Sequence, residues 1–188
     1  MASTSDIRNG LCIKYNNDIY KIIEFLHVKP GKGPAFVRTK LKSVTTGKVI
    51  DNTFSAGHKI EDVRVETHKF QYLYAEGDTY HFMNTEDYNQ ITLEKSTLDA
   101  PGLLKEGEVV TVIINSEDQM PLSVEMPASV ILEVTATEPG VKGNTATNAT
   151  KPATVETGAE VMVPLFINEG DKIKIETEKG TYKERIKE

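Results

Sequence analysis

The segment Lys29-Pro30-Gly31-Lys32-Gly33-Pro34 constrains this chain more than any other. The run before it, Ile22-Ile23-Glu24-Phe25-Leu26-His27-Val28, is apolar and β-prone. So is the run after it, Ala35-Phe36-Val37-Arg38-Thr39-Lys40-Leu41. Proline and glycine are the strongest local punctuators of secondary structure, so two strands joined by a tight loop are expected. Pro30 and Pro34 each fix φ near about −65° and restrict the residue before them. Gly31 and Gly33 can take positive φ at little steric cost. The expected result is a stiff frame with two hinges, holding Lys32 at the apex. The plain alternative is a solvated hairpin tip with an incidental lysine, since tips are usually polar and mobile.

The rest of the chain also reads as β structure, in three modules: 1–64, 65–127 and 128–188. In the first, strands are expected over Gly10 to Tyr15, Ile19 to Val28, Phe36 to Val44 and Val49 to Phe54, with turns at Asn16-Asn17-Asp18 and Thr45-Thr46-Gly47. Alternation places Arg38, Lys40 and Lys42 on one face and Val37, Thr39 and Leu41 on the other. Such a stripe suits either a phosphate-facing surface or the ordinary solvent face of a half-buried strand. In the second module Phe70 to Tyr74 and Thr79 to Met83 form a hairpin, and Glu108 to Asn115 is a strand rich in Val, Ile and Thr. Thr85 to Tyr88 is a turn or a short helical piece, and Asp99 to Lys105 a short helix. The aromatics Phe70, Tyr72, Tyr74, Tyr80 and Phe82 suit either a base-stacking platform or cross-strand packing. In the third module Ser129 to Val134, Glu160 to Ile167, Lys172 to Thr177 and Tyr182 to Ile186 are strands. The stretch from Thr137 to Thr157, rich in Thr, Gly, Asn, Ala and Pro, is expected to be an extended loop. The expected fold class is all-β, with three small β barrels in series.

Net charge is −6, which by itself argues against nucleic acid. The distribution is uneven. Residues 1–65 carry 11 Lys and Arg against 6 Asp and Glu, while the remaining 11 cations face 22 carboxylates. A basic head on an acidic body can touch phosphates locally while the body repels nucleic acid in general. No apolar run approaches the roughly 20 residues of a membrane helix. The start, Met-Ala-Ser-Thr-Ser-Asp, carries no secretory pattern, and the one cysteine, Cys12, cannot form an internal disulfide. Together these favour the cytoplasm.

Ordinary catalytic patterns do not emerge. His27, His58, His68 and His81 show no metal-ligand spacing, and one cysteine makes no zinc cluster. Gly31-Lys32-Gly33 lacks the upstream glycine and the hydroxyl residue of a phosphate-binding loop. No Gly-x-Ser-x-Gly elbow occurs. A non-enzymatic binding protein without cofactor or metal is expected.

Several segments in order carry a family resemblance. Val28-Lys29-Pro30-Gly31-Lys32-Gly33-Pro34-Ala35-Phe36 is similar to the tip loop of bacterial elongation factor P. Tyr72-Leu73-Tyr74 with His81-Phe82-Met83-Asn84 matches its second domain. Pro139-Gly140-Val141-Lys142-Gly143, Lys151-Pro152-Ala153-Thr154, Gly158, Val161, Val163-Pro164-Leu165-Phe166-Ile167 and Gly170 match its signature segment. The resemblance covers essentially the whole chain. It implies a KOW-like, SH3-like N-terminal barrel and two barrels of the oligonucleotide-binding type, in an L shape that resembles a tRNA. It implies a monomer that binds the ribosome between the peptidyl and exit sites at stalls on consecutive prolines. The partners implied are peptidyl-site tRNA and ribosomal RNA. Lys32 falls on the residue that points at the CCA end, framed by Pro30, Gly31, Gly33 and Pro34. Contacts with RNA would fall on Lys32, Tyr182 and Arg185, and the basic hairpin read above adds Lys29, Arg38, Lys40 and Lys42 as RNA-contacting candidates. Many members modify the tip residue, which makes a lysine-modifying enzyme a candidate partner, and many lack proline where Pro34 stands. A generic RNA-binding β-barrel protein is the alternative.

Overall fold

The computed structural model describes residues 1–140 and 149–187. Val141, Lys142 and Gly143 of the signature segment lie outside the described residues. The chain forms two compact units: residues 1–68 with 112–123, and residues 69–111 with 124–188.

In the first unit, β1 (Ala2–Ser3) pairs with β6 (Lys59–Ile60). Between them, β2 (Cys12–Tyr15), β3 (Asp18–Val28), β4 (Phe36–Ser43) and β5 (Val49–Ser55) form an antiparallel meander in chain order. The turns lie where the sequence puts them, with Asn16 and Asn17 both left-handed at φ 48° and 61°. Beyond β6 the chain returns to β2. The Lys14 amide donates to the Glu61 carbonyl at 2.8 Å, and the Val63 amide to that of Cys12 at 2.9 Å. The sheet thus curls over Ile7, Ile13, Tyr20, Ile22, Val37, Leu41, Phe54 and Ile60, which make one core. Asp18 pins the far end of the barrel. Its carboxylate accepts hydrogen bonds from Ser43 Oγ (2.6 Å), Thr45 Oγ1 (2.7 Å) and the Ile19 amide (2.8 Å).

The central strands are β7 (Val65–Glu76), β8 (Thr79–Asn84), β9 (Gln90–Glu94), β10 (Val109–Asn115) and β11 (Pro121–Glu125). They lie in the order β11-β10-β7-β8-β9. The segment expected as a helix from Asp99 to Lys105 is a single 3₁₀ turn, Pro101–Leu103. Pro101 starts that turn, and with so few residues no α-helical ladder forms. Thr85 to Tyr88 is a turn, capped by Asn84 Oδ1, which accepts the Glu86 amide at 2.8 Å.

The C-terminal strands are β12 (Ser129–Thr137), β13 (Thr150–Val155), β14 (Glu160–Pro164), β15 (Lys172–Glu176) and β16 (Thr181–Ile186). They form an antiparallel sheet in the order β14-β13-β12-β15-β16. Strand β13 corrects the expected loop from Thr137 to Thr157. Its side chains Lys151, Ala153 and Val155 alternate inward, and it pairs with β14 from Thr150↔Pro164 to Thr154↔Glu160. Its Thr, Pro and Ala content resembles a linker, but composition does not show which neighbour completes the ladder. Strand β14 ends at Pro164, short of the expected Ile167, because the chain turns there and the Ile167 amide bonds back to the Pro164 carbonyl at 3.1 Å.

Candidate functional site

The β3–β4 hairpin carries the Lys32 loop. Tyr20 and Ile22 on β3 are core residues. At Ile23 the pairing register shifts, from Ile22↔Leu41 to Glu24↔Lys40. A bulge of this kind bends a strand and re-aims the residues beyond it. Past it Glu24, Phe25, Leu26 and His27 of β3 are all exposed, while Thr39 and Val37, opposite Phe25 and His27 on β4, stay buried, so only the β3 edge of the hairpin turns to solvent. Leu26 is 59% exposed and Phe25 38%, with the Phe25 ring edge-on to His27 at 5.6 Å. This exposed apolar rim is not apparent from residue type. The available signal was the loss of alternation at Phe25-Leu26.

The last hairpin pair is Val28↔Phe36. From there Lys29 to Ala35 cross the tip, and the Ala56 amide anchors one leg through the Ala35 carbonyl at 3.0 Å. Gly33 adopts φ +113°, a region that disfavours any side chain, whereas Gly31 stays outside the positive range. The loop therefore uses one glycine conformationally, not two. Lys32 stands exposed, and among the described residues no hydrogen bond or ion pair engages its ammonium.

On β4 the expected alternation is present. Val37, Thr39 and Leu41 are buried, while Arg38 and Lys42 are exposed and Lys40 half-buried. The stripe is not uniformly available. Lys40 Nζ lies 3.1 Å from Glu24 Oε2, and its cross-strand partner on β5 is Asp51. The Arg38 guanidinium sits 5.6 Å from the Phe36 ring centre. Phe25, Leu26, Arg38, Lys40 and Asp51 line a shallow groove of about 430 Å³ on this face. Lys29, Lys32, Arg38, Lys40 and Lys42 are thus collected on one hairpin.

Tyr182 and Arg185 lie on β16, in the other unit. Tyr182 leans on the C-terminal core. Arg185 is held between Asp171, 3.7 Å from Nη1, and the face of Phe166 at 5.5 Å. Lys151 of the signature segment is no surface cation. It is 5% exposed, and its ammonium donates to the Glu138 carbonyl at 2.6 Å. Gly140 is there for space: a Cβ would come within 2.5 Å of the Leu165 carbonyl oxygen.

Among the expected aromatics, Phe70, Tyr72 and Phe82 are buried, and Tyr72 packs on Phe82 and Tyr80 at 5.5 and 5.7 Å. Burial pushes the Tyr72 phenol up from its ordinary value. These rings are packing, not a platform. Tyr74 is the exception: half-exposed, it stacks on His81 at 4.3 Å. Among the described residues no group of three or more His, Cys, Asp or Glu is placed to hold a metal ion. No helix of the structure is long and apolar enough to cross a membrane.

Three family models match in order. Residues 3–60 match the elongation factor P KOW-like domain, residues 65–124 its OB domain and residues 130–185 its C-terminal domain. The chain is 83% identical to elongation factor P of Christiangramia forsetii over 188 residues, covering all of both chains. It is 78% identical over 188 residues to elongation factor P of Flavobacterium johnsoniae, again covering all of both. A solved structure, the eukaryotic translation initiation factor 5A from Methanococcus jannaschii, superposes with a TM-score of 0.52 at 19% identity. That match covers 65% of this chain and 92% of the other, and it speaks for the fold alone.

Proposed function

The chain belongs to the elongation factor P family of translation elongation factors, and from that premise we propose how it acts. It binds the ribosome between the peptidyl and exit sites, in the cytoplasm, and stimulates peptide-bond formation at stalls on consecutive prolines. Lys32 approaches the CCA end of the peptidyl-tRNA. Lys29, Arg38, Lys40 and Lys42 lie along RNA backbone, and Tyr182 and Arg185 make a second backbone contact. Modules 1–64, 65–127 and 128–188 divide this work. The observation that carries the reading is the exposed ammonium of Lys32, unengaged among the described residues, at the tip of the β3–β4 hairpin.

Proline reacts poorly because its ring restricts the geometry of attack. A factor that holds the tRNA end in a reactive arrangement lowers the entropic part of that barrier. The factor supplies no acid, base or nucleophile, and the chemistry stays with the ribosome. Arg38 and Lys42 offer exposed cations for phosphates, while Lys40 must first release Glu24. Pro34 and the fixed Gly33 reduce the ordering cost of placing Lys32, so the unmodified lysine suffices.

The test is the rate of Pro-Pro bond formation in a reconstituted translation system, with no factor, with the unmodified protein and with Lys32→Ala. Acceleration by the unmodified protein, lost in the variant, is expected. Acceleration by neither counts against an active unmodified lysine. Equal acceleration by both removes Lys32 from the mechanism.

A further inference from the structure

The connection between the central and C-terminal strands is bridged by contacts on several sides. Four separate ties cross it, all within the second compact unit. First, Leu103, from the 3₁₀ turn between β9 and β10, is 7% exposed. It belongs to the core made by Val130, Leu132, Val161, Ile173 and their neighbours. Ala100 and Met126 pack against the same core. Second, Gly102 faces Ala159, and an added Cβ would meet that side chain at ordinary contact distance, 3.9 Å. Third, Lys105 Nζ meets Glu156 Oε1 at 3.0 Å, and the same oxygen accepts the Glu133 amide at 3.0 Å. Fourth, the direct link is stitched down: Thr177 Oγ1 donates to the Pro127 carbonyl at 2.5 Å, and the Thr177 amide to that of Ala128 at 3.1 Å.

The other side of the same segment is fixed to the central strands. The Gly107 amide donates to the Tyr72 carbonyl, and the Tyr72 amide to the Glu108 carbonyl, both at 2.8 Å. Leu98 forms an isolated bridge to Val124. The segment is therefore short, anchored at both ends and buried at its middle.

We propose that Pro101–Lys105 is a plug, carried by the central strands and seated in the C-terminal barrel, that makes these two modules fold and open as one cooperative body. A barrel that buries a neighbour's leucine loses core when the neighbour opens, and the neighbour loses its anchor when the barrel opens. The junction at residues 127 and 128 then transmits force and does not bend. This proposal does not depend on where the protein acts.

The test is native-state hydrogen exchange on the full-length chain, followed by mass spectrometry. Val163→Ala removes two methyl groups from the C-terminal core, at a fully buried position on β14. One cooperative body requires that the most protected amides of β8 speed up together with those of β12 and β15, by the same factor, about tenfold or more. In the double variant with Leu103→Ala, the response of β8 to Val163→Ala falls away. If β8 keeps its original rates in Val163→Ala while β12 and β15 accelerate, the modules open independently and the plug is only a contact. Should the double variant fail to fold, Leu103→Val takes its place, with the same loss of coupling expected on a smaller scale. Coupling that survives either plug variant at full strength overturns the role of Leu103.

Discussion

At the scale of single residues, two side-chain positions carry sharp expectations. Gly140 cannot gain a methyl group without moving the Leu165 backbone, since the nearest atom is a carbonyl oxygen and not a flexible side-chain end. Gly140→Ala is therefore expected to cost about 1–3 kcal/mol, as overpacking usually does, read as a lowered denaturant midpoint. Asp18 sets an acid-sensitive point. Burial alone would raise its pKa, but hydrogen bonds from Ser43, Thr45 and the Ile19 amide outweigh it and hold the carboxyl below its ordinary 3.8. The folded form thus favours the carboxylate. Its contribution to stability is complete above the unfolded value and is lost as pH falls through the lower, folded one. Asp18→Asn should lower the midpoint at neutral pH and flatten the acid limb of the stability curve. An unchanged acid limb would assign that loss to other carboxylates. Asp18 and the turn it closes were legible only as a turn, because Ser43 and Thr45 lie far along the chain.

At the scale of elements, β3 behaves as two strands in one. Its first half is core and its second half is an exposed edge paired only to β4, divided by the bulge at Ile23. Ile22→Ala should cost about 2–5 kcal/mol, the usual range for emptying a core position. Leu26→Ser, four residues on, should change stability by no more than about 0.5 kcal/mol, because Leu26 is already in water. Chemical denaturation of both variants separates the two halves, and a large loss from Leu26→Ser would mean that this edge packs on something. The hairpin and its inward residues Val37, Thr39 and Leu41 were readable from turn residues and period-two alternation. The bulge was not, since both Ile22 and Ile23 are apolar and only pairing with β4 picks out the extra residue. β13 was missed because Lys151, Pro152 and Ala153 interrupt its β-branched residues, and β12 and β14 on either side supply the ladder.

At the scale of the whole molecule, strand follows strand, and the sequence alone supports a division into three modules. Grouped by spatial contact, the chain falls into two compact units, a division that composition does not show. The amino-acid sequence by itself determined the all-β class, most turn positions, the inward face of β4 and the lysine at the tip. These follow from φ preferences and side-chain alternation, which act over a few neighbouring residues. Tertiary structure alone decided that Lys40 is held by Glu24, that Lys151 is buried against Glu138, that Gly140 must lack a side chain and that Leu103 lies in the C-terminal core. Each of those depends on groups brought together by folding from separate parts of the chain, and no local pattern encodes which partner arrives.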